Sequence, residues 1–506
     1  CYDRKKKMKY FKKRGTKMKL KEILNGIDYK LIKGNINTEI KDISYDSREI
    51  KENDAFICLI GIDTNGHNYI KDAIQKGCKC IIICQEIEKI KEEVTIIKVK
   101  DTRTTLSYLS ANLFHHPDKS LIKIAITGTK GKTSTSWIIK NILEQKGEEV
   151  GIIGTIGTII NGKLIPHKNT TPESYKIQKY MQQMVDTGTK YLVMEVSSQA
   201  LKVGRVNNIL FDYAIFTNLS IDHIGPREHP TYEDYRNSKR KLFTQSKIGI
   251  LNKDDPFFKE MIQDSTCKIY TYGTNDCDLK IEKITPTNEA NFLGTAFQLK
   301  GKINDTFKIP SPGNFSAYNT TAAIFLSLLL NTEVTDIKKG LEKFQVPGRC
   351  EIINIDNHRK VIIDFAHNKI SMESIIKTMK SYHPNKIITV FGCGGGRSIE
   401  RRKELGTTSG KLSDLSIITT DNPRNDNIDE INQSIVEGIE ETEGNYIIIK
   451  DRKEAILYAL KNSTENDIIL LLGKGHETYQ EIKGEKTYFN EKEIINTYIK
   501  ENKIDK

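Results

Sequence analysis

A short run of glycine, lysine and hydroxyl residues at positions 128–134, "GTKGKTS", has the composition of a phosphate-binding loop. It follows the apolar run "LIKIAIT" and precedes a stretch of helical periodicity that ends near Gly147. At such a junction the backbone N–H groups bind phosphate oxygens, Lys132 can neutralise charge and Thr133 can hold Mg²⁺. The common loop would have glycine at position 126, where Ile126 stands, so this loop is two residues short. A surface turn rich in glycine and lysine is the alternative, and the strand–loop–helix context favours a phosphate site.

Two more residues of suitable chemistry follow apolar runs typical of strands. Glu195 ends the run "YLVME", and His223 lies beyond "YAIFTNLS". A carboxylate is a hard oxygen ligand that suits Mg²⁺, although a lone Glu or His is more often a solvated loop residue. Because the carboxyl ends of parallel strands meet at one edge of a sheet, both residues are predicted to lie near the phosphate loop. The pattern therefore indicates a magnesium and phosphate site.

The elements that position these residues form three segments of mixed α/β pattern, as a length of 506 residues suggests. Residues 18–117 alternate short β-rich runs such as "CIIIC" with helical stretches, and residues 118–346 carry strands separated by helical patterns. Residues 347–506 contain five strands with polar or glycine-rich tips. The expected class is α/β, with a small N-terminal α/β domain, a central P-loop-type, mostly parallel sheet and a C-terminal Rossmann-like sheet.

The net charge of +12 is concentrated at the start of the chain, where residues 1–20 carry ten Lys or Arg and one Asp. This distribution argues against a folded basic face that binds nucleic acid. Residues 1–17 could touch RNA or anionic lipid, but we interpret them as a basic disordered leader before Met18. The nine cysteines form no CxxC pair, and no apolar run reaches the roughly 20 residues of a membrane helix. We expect a cytoplasmic monomer without a membrane span or a nucleic-acid partner.

Several motifs occur in the order found in the ATP-dependent Mur ligases of bacterial cell-wall synthesis. "GTKGKT", "EVSSQAL", "TNLSIDH" and "DFAH" resemble that family, which uses the short loop. "YDSRE", "NTTPES", "DNPR" and "GKGHE" resemble its member that adds the third amino acid of the stem peptide. The resemblance runs from about Met18 to the C-terminus. It implies addition of meso-diaminopimelate to UDP-N-acetylmuramoyl-L-alanyl-D-glutamate through an acyl phosphate, with L-lysine or lanthionine as the alternative amino acid.

The resemblance also implies roles for the residues at matching positions. The catalytic residues would be Lys132, Glu195, His223 and Lys239. Mg²⁺ would be held by Thr133, Glu195, His223 and the carbamate of Lys239. ATP would be bound by Gly128, Thr129, Lys130, Gly131, Lys132, Thr133, Ser134, Asn319, Arg349 and Asp364. The UDP-muramoyl-dipeptide would be bound by Ser47, Asn169, Thr170, Thr171, Ser197 and Arg205. The diamino acid would be bound by Arg397, Asp421, Asn422, Pro423, Arg424, Gly473 and Glu477.

The chain departs from the family pattern at several positions outside the loop and the implied metal ligands. Ser316 replaces an Asn, Val203 a Gln and Gly396 an Asp, and the run after His223 is "IGPREHP". Rival interpretations are a switch or transport ATPase, which would need the longer loop, and an RNA- or membrane-binding protein led by the basic arm. A folate or poly-amino-acid ligase remains an alternative within the ligases.

Overall fold

The computed structural model describes residues 17–225, 228–289, 292–342 and 344–502. The predicted leader therefore lies, apart from Lys17, outside the described residues. The chain divides into two compact units, unit one with residues 17–132 and 147–270 and unit two with residues 133–146 and 271–502. The domain boundaries expected at 117/118 and 346/347 stay a prediction. A search of the described helices finds none with the length and apolar character to cross a bilayer.

The first part of unit one is a small α/β layer. Its elements are β1 (Met18–Lys19), α1 (Leu20–Ile23), β2 (Lys30–Lys33), β3 (Glu39–Ile40), β4 (Ile43–Ser44), β5 (Ala55–Ile57), α2 (Ile70–Gln75), β6 (Cys80–Ile83), β7 (Thr95–Lys98) and α3 (Thr102–Leu113). The sheet order is β2-β7-β6-β5-β4, with β2 antiparallel to β7 and the other pairs parallel. The predicted strand in "CIIIC" is β6, and all four of its residues are buried. It packs in the core because its side chains are apolar on both faces.

The second part of unit one is built on a larger, mostly parallel sheet. Its elements are β8 (Ile122–Thr127), β9 (Val150–Ile153), β10 (Thr158–Ile160), β11 (Lys163–Ile165), α5 (Ser174–Asp186), β12 (Tyr191–Glu195), α6 (Ser198–Lys202), β13 (Phe211–Phe216), α7 (Tyr232–Arg240), β14 (Ser246–Asn252), α8 (Phe258–Ile262) and β15 (Lys268–Gly273). Helix α4 (Lys132–Gln145) follows β8 in the chain and, apart from Lys132, belongs to unit two. The order is β11-β10-β9-β12-β8-β13-β14-β15. The strands from β9 to β14 in that order are parallel, whereas β10 and β11 are antiparallel. The chain passes from β8 to β9 on one side of β8 and from β12 to β13 on the other side, so the carboxyl end of β8 is where a ligand is expected.

The second stretch of unit two, from residue 271, begins with antiparallel strands that the sequence patterns did not predict. Its first elements after β15 are β16 (Leu279–Glu289), β17 (Phe292–Gly301), β18 (Asp305–Ile309), α9 (Asn314–Leu329) and α10 (Val334–Glu342). Strands β16, β17 and β18 pair in sequence order. Helix α9 is buried over most of its length, in keeping with its apolar composition.

The rest of unit two is a doubly wound sheet with the predicted strands. Its elements are β19 (Glu351–Asn354), β20 (Lys360–Asp364), α11 (Lys369–Lys380), β21 (Ile387–Phe391), α12 (Ile399–Leu412), β22 (Leu415–Ile418), α13 (Ile428–Glu440), β23 (Tyr446–Ile448), α14 (Arg452–Asn462), β24 (Ile468–Leu472), β25 (Tyr479–Ile482), β26 (Glu485–Tyr488) and α15 (Glu491–Glu501). The order is β19-β20-β24-β21-β22-β23, parallel except for β19. Because β24 lies between β20 and β21, the sheet has a switch point there, and its carboxyl edge is a place for a ligand. The α/β class is confirmed.

Candidate active site

The predicted phosphate loop begins with residues 128–131, which lie between β8 and α4 in the strand–loop–helix order that the sequence patterns indicated. Gly128 and Gly131 have φ angles of +150° and +86°, a region that favours glycine. A Cβ at Gly128 would also overlap the Oγ1 atom of Thr217. The Nζ atom of Lys132 donates to the carbonyl oxygens of Gly128 at 2.8 Å and Thr129 at 3.0 Å. The loop therefore needs glycine for its backbone, and its lysine folds back over it.

A second lysine reaches the same carbonyl from another helix. Lys239 on α7 is 1% exposed, and its Nζ atom donates to the Gly128 oxygen at 2.9 Å. The same atom lies 4.6 Å from the ring centroid of Tyr235. Burial lowers the pKa of Lys239 well below its usual value, and the charge of Lys132 lowers it further. An amine with a lowered pKa is more often neutral, and the neutral form is the one that reacts with CO₂.

Glu195 lies at the end of β12 with its side chain turned into the protein. It is 1% exposed, and its carboxylate accepts hydrogen bonds from the Thr155 N–H at 3.1 Å and the Thr155 hydroxyl at 2.8 Å. A Cβ at Gly154 would overlap the same carboxylate, so a glycine is needed beside it. Thr155 also contacts Thr170, with 3.1 Å between the hydroxyl oxygens. The structure thus holds a buried hard oxygen donor rather than a solvated loop carboxylate.

His223 lies in the loop after β13 with a φ angle of +57°. Its Nδ1 atom is 2.9 Å from the carboxylate of Glu228, and its side chain is half exposed. No group of three His, Cys, Asp or Glu side chains placed to hold a metal occurs within the part of the chain that the structure describes. Mg²⁺ is usually held by one or two carboxylates together with substrate phosphates, so this donor set still fits that ion.

A cavity of about 820 Å³ in unit one brings many of the predicted site residues together. Seven of them line it: Lys132, Asn169, Thr170, Ser197, Arg205, His223 and Lys239. Of the residues implied for the UDP-muramoyl-dipeptide, Thr171 and Ser47 lie outside this lining. Thr171 is buried, and its hydroxyl donates to the Glu195 carbonyl at 2.8 Å. Ser47 is also buried, and its carbonyl accepts from Lys76 at 2.9 Å. Val203, which departs from the family pattern, lines the cavity as well.

Two arginines that line the cavity, Arg103 and Arg205, share the carboxylate of Glu173, and the sequence motifs implied a role only for Arg205. Glu173 accepts hydrogen bonds from Arg103 at 2.7 Å and from Arg205 at 2.9 Å. Arg205 also donates to the carbonyl of Thr171 at 3.0 Å. Arg103 lies in the first turn of α3, two residues after the capping residue Asp101. The cap signal marked the start of a helix, but nothing local indicated that Arg103 faces the same cavity as Arg205.

In unit two, the residues implied for the adenosine end of ATP lie around the end of β20. Asp364 accepts hydrogen bonds from the N–H groups of Cys350 at 2.7 Å and Ala366 at 2.8 Å. Burial raises the pKa of Asp364, and the nearby Arg349 opposes that shift. The Cζ atom of Arg349 lies 5.0 Å from the ring centroid of Phe365, and its Nε atom is buried without a hydrogen-bond partner among the described residues. An unsatisfied buried donor of this kind suits a ligand acceptor.

Two further residues of that implied set lie on helices. Asn319 is 5% exposed in the middle of α9. Ser316, where the family has Asn, is also buried on α9, and its hydroxyl contacts that of Ser311 at 2.8 Å. The hydroxyl at position 316 is therefore engaged within unit two.

The carboxyl ends of β22 and β24 bring several of the implied amino-acid-binding residues together. The side chain of Asn422 donates to Glu477 at 2.7 Å and accepts from Lys474 at 3.1 Å. Lys474 is fully buried, and burial lowers its pKa. A Cβ at Gly473, whose φ angle is +108°, would overlap the carboxylate of Asp421. The sequence patterns did not identify Lys474 as a member of this cluster.

Arg424 follows Pro423 in the same loop, and its backbone pairs with the hairpin of β25 and β26. Its N–H donates to the Glu481 carbonyl at 3.1 Å, and its φ angle is +52°. Its guanidinium donates to the Gly395 carbonyl at 3.1 Å, while about half of the side chain stays exposed. Arg397 is exposed beyond β21. The anchored backbone and half-exposed head of Arg424 leave N–H donors available to a ligand.

Comparisons with known proteins agree with this arrangement. Three family profiles match in order: "Mur ligase family, catalytic domain" at residues 39–113, "Mur ligase middle domain" at 126–327 and "Mur ligase, glutamate ligase domain" at 348–475. A UDP-N-acetylmuramoyl-L-alanyl-D-glutamate–2,6-diaminopimelate ligase of Clostridium perfringens is 40% identical over 94% of this chain and 99% of its own. One of the same name from Clostridioides difficile is 39% identical over 95% and 99%.

A solved structure supports the same relationship. A structure described as UDP-N-acetylmuramoyl-L-alanyl-D-glutamate–2,6-diaminopimelate ligase superposes with a TM-score of 0.70 and 26% identity, over 97% of this chain and 100% of the other. The sequence matches span the three segments that carry the phosphate loop, the cavity and the switch point of unit two. On these findings the chain belongs to the Mur ligase family.

Proposed function

We propose that this chain is an ATP-dependent ligase that joins meso-diaminopimelate to UDP-N-acetylmuramoyl-L-alanyl-D-glutamate in peptidoglycan synthesis. The observation that supports this most directly is the cavity in unit one, in which Lys132 and Lys239 line the same space as Asn169, Thr170 and Arg205. The names of relatives that align over nearly the whole chain supply the substrates of the proposal.

The reaction needs an activated carboxyl group because a carboxylate is a poor acyl donor. The side-chain carboxylate of the substrate glutamate attacks the γ-phosphorus of ATP, and ADP leaves with the electrons of the broken P–O bond. The amine of the incoming amino acid then attacks the acyl phosphate and loses a proton, and phosphate departs. Lys132 and the loop N–H groups would stabilise charge on the transferred group, since positioning and electrostatics dominate such steps.

Mg²⁺ would be held by Thr133, Glu195, His223 and the carbamate of Lys239. It would neutralise charge on the phosphates of ATP. The carbamate reverses the charge of a buried lysine, which would otherwise repel a metal ion. The buried Glu195 carboxylate and the lowered pKa of Lys239 support this assignment.

The remaining substrate contacts are assigned to unit two. Asn319, Arg349 and Asp364 would bind the adenosine end of ATP. The loop of Asp421, Asn422, Pro423 and Arg424, together with Arg397, Gly473 and Glu477, would bind the diamino acid. Arg424 would take the far carboxylate of diaminopimelate with paired hydrogen bonds, whereas lysine lacks that group.

Phosphate release from ATP, measured with the UDP-muramoyl-dipeptide and one amino acid at a time, tests the proposal. We expect meso-diaminopimelate or lanthionine to be preferred to L-lysine by on the order of 10²-fold in kcat/KM. Omission of either the UDP-muramoyl-dipeptide or the amino acid should abolish the release of phosphate from ATP. A preference for L-lysine would overturn the amino-acid assignment, and release without the dipeptide substrate would overturn the ligase itself.

A further inference from the structure

Three side chains on separate elements of unit one form a continuous hydrogen-bonded chain at the cavity wall. The Oγ atom of Ser198 on α6 lies 3.0 Å from Nε2 of His229. The Nδ1 atom of His229 lies 2.6 Å from the carboxylate of Asp234 on α7. Asp234 also accepts from Lys202 at 2.8 Å. Ser198 and His229 both line the cavity, and neither belongs to the residues that sequence motifs implied.

The chemistry of the three groups sets the direction of this chain. A carboxylate can only accept a hydrogen bond, so the proton of His229 lies on Nδ1 and this N–H donates to Asp234. In the neutral imidazole the other ring nitrogen, Nε2, is then an acceptor, and the Ser198 hydroxyl donates its proton to it. The lone pairs of Ser198 Oγ are left to accept from another group. Burial supports this rigid arrangement, since Ser198 is 5% and His229 1% exposed.

The hydroxyl oxygen of the neighbouring Ser197 is less available as an acceptor than that of Ser198. Ser197 caps α6: its side-chain oxygen accepts from the Ala200 N–H at 3.2 Å and lies 3.4 Å from the hydroxyl oxygen of Thr171. The hydroxyl of Ser198 bonds only to His229 within the part of the chain that the structure describes. Beside it, the Oε1 atom of Gln199 is also buried without a partner among those residues. This stretch of the wall therefore presents unused acceptors.

The other residues of the cavity lining indicate which group of a ligand such an acceptor would bind. Four of the lining residues are cations, namely Lys132, Lys168, Arg103 and Arg205. These groups suit the phosphates and carboxylates of a nucleotide-linked peptide. The same ligand also carries amide N–H groups, and a buried N–H without an acceptor costs binding free energy. Cationic side chains cannot accept a hydrogen bond, so acceptors on the wall have to meet this need.

We propose that Ser198 is a further substrate-binding residue, whose Oγ atom accepts a hydrogen bond from an amide N–H of the muramoyl-dipeptide. His229 and Asp234 are positioning residues that fix the direction of the Ser198 hydroxyl. This inference rests on the proposed function, because that function supplies the amide-containing substrate. A competing assignment, Ser198 as a nucleophile activated by His229 and Asp234, would make the same three residues a catalytic triad.

The test compares Ser198→Ala with the wild-type enzyme at saturating ATP and meso-diaminopimelate. We expect the KM for the UDP-muramoyl-dipeptide to rise about tenfold, the effect of one lost hydrogen bond, with kcat and the KM for ATP unchanged. Ser198→Thr keeps the hydroxyl and should restore most of the affinity. Ser374→Ala, an exposed serine on α11, is the matched control and should change neither constant.

A double-mutant cycle separates positioning from simple structural support. Ser198→Ala combined with His229→Ala should be no worse in KM than the more affected single variant, because both remove the same hydrogen bond. If His229→Ala does not fold, His229→Phe replaces it, since a phenyl ring fills the space of the imidazole but cannot accept a hydrogen bond from Ser198. Additive effects of the two changes would overturn the positioning role.

Each remaining outcome has a distinct meaning. An unchanged KM for the dipeptide substrate in Ser198→Ala, with an active wild-type enzyme, overturns the inference alone. A collapse of kcat with an unchanged KM also overturns it and favours the nucleophile. A wild-type enzyme that is inactive with the UDP-muramoyl-dipeptide overturns the proposed function, and the inference falls with it.

Discussion

Lys132 and Lys239 both donate to the carbonyl oxygen of Gly128, at 2.8 and 2.9 Å. Two lysine side chains on the same carbonyl oxygen, beside a glycine-rich loop, are expected at a site that binds a ligand with several negatively charged oxygens. Of the two, Lys132 belongs to the loop itself, and its flexible stem can turn from the loop carbonyls to a phosphate. The two lysines therefore lead to separate predictions.

Lys132→Ala is expected to lower turnover by at least on the order of 10²- to 10³-fold, because a charge that stabilises the transferred phosphoryl group is lost. The fold should persist, since the side chain contacts loop carbonyls and cavity rather than core. Phosphate release and circular dichroism measure the two effects. Lys163→Ala, an exposed residue of β11, is the control. Near-normal release by Lys132→Ala would refute the nucleotide site.

Lys239→Ala is expected to be nearly inactive and to be partly rescued by a short carboxylic acid in solution, which can replace the missing oxygen ligand. Lys239→Arg should be inactive as well, because a guanidinium stays charged and does not take up CO₂. Activity measured with and without acetate distinguishes these outcomes. Intact-protein mass spectrometry under bicarbonate should show one CO₂ adduct in the wild-type enzyme. Wild-type activity in Lys239→Ala would rule out the metal role.

Arg424→Ala is expected to lower the preference for meso-diaminopimelate over L-lysine by about 10-fold or more, because a paired guanidinium–carboxylate contact is lost. Arg424→Lys should recover only part of it, since an ammonium cannot form two parallel hydrogen bonds. Ratios of kcat/KM for the two amino acids measure the effect. Lys411→Ala, exposed on α12, should leave the ratio unchanged. Unchanged diaminopimelate use by Arg424→Ala would contradict the assignment.

At the scale of elements, the last helix of unit two is joined to α14 by a buried ion pair. Arg452 donates to Glu491 at 2.8 Å and to the Leu472 carbonyl at 2.9 Å. The two charged side chains are 0% and 2% exposed. The pair thus connects α14, β24 and α15 where no water can replace a lost partner.

Arg452→Ala is expected to lower the free energy of unfolding of unit two by about 3–5 kcal/mol, because the Glu491 charge is left buried and unpaired. Lys450→Ala is the matched control. It breaks an exposed pair with Asp429, in which both side chains are more than 60% exposed, and should cost about 0–1 kcal/mol. Urea unfolding followed by circular dichroism compares the two. Equal losses of unfolding free energy in the two variants would show that burial does not determine how much a lost ion pair destabilises the protein.

The elements also show where sequence patterns were insufficient. The turn between β10 and β11 contains Asn161 and Gly162 with φ angles of +48° and +70°, the arrangement that an Asn-Gly pair favours in a two-residue hairpin. That signal is present in the sequence, but it was not used to predict the turn. Strands β16 to β18 carry mixed polar and apolar residues, so their periodicity was weak.

At the scale of the whole molecule, most of the net positive charge is concentrated in a stretch of sequence that precedes every residue assigned to the site. Residues 1–17 carry nine Lys or Arg and one Asp. The described fold begins with Met18, which is 8% exposed and pairs with Ile40 in the strands β1 and β3. No residue assigned to a substrate precedes it.

A chain that begins at Met18 is therefore expected to keep full ligase turnover and an unchanged melting temperature. Its retention on a cation-exchange or heparin column should fall, because most of the net positive charge is removed. Phosphate release and thermal unfolding of both chain lengths measure this. A large loss of turnover or folding on removal of residues 1–17 would contradict it.

The sequence by itself determined the α/β class, the strand–loop–helix around Lys132 and the order of motifs that indicates the Mur ligase family. These features depend on neighbouring residues and on periodicity, which local patterns express directly. The roles of the individual site residues stay predictions.

Only the tertiary structure decided which distant side chains meet. Ser198 and His229 are 31 residues apart, Arg103 and Glu173 are 70 apart, and Lys239 is 111 residues from the carbonyl it contacts. Each contact depends on how helices and loops pack against a sheet, and a periodic pattern shows that a face is buried but not what it faces. The hydrogen-bonded chain of Ser198, His229 and Asp234 could be recognised only when packing had brought its members to one wall.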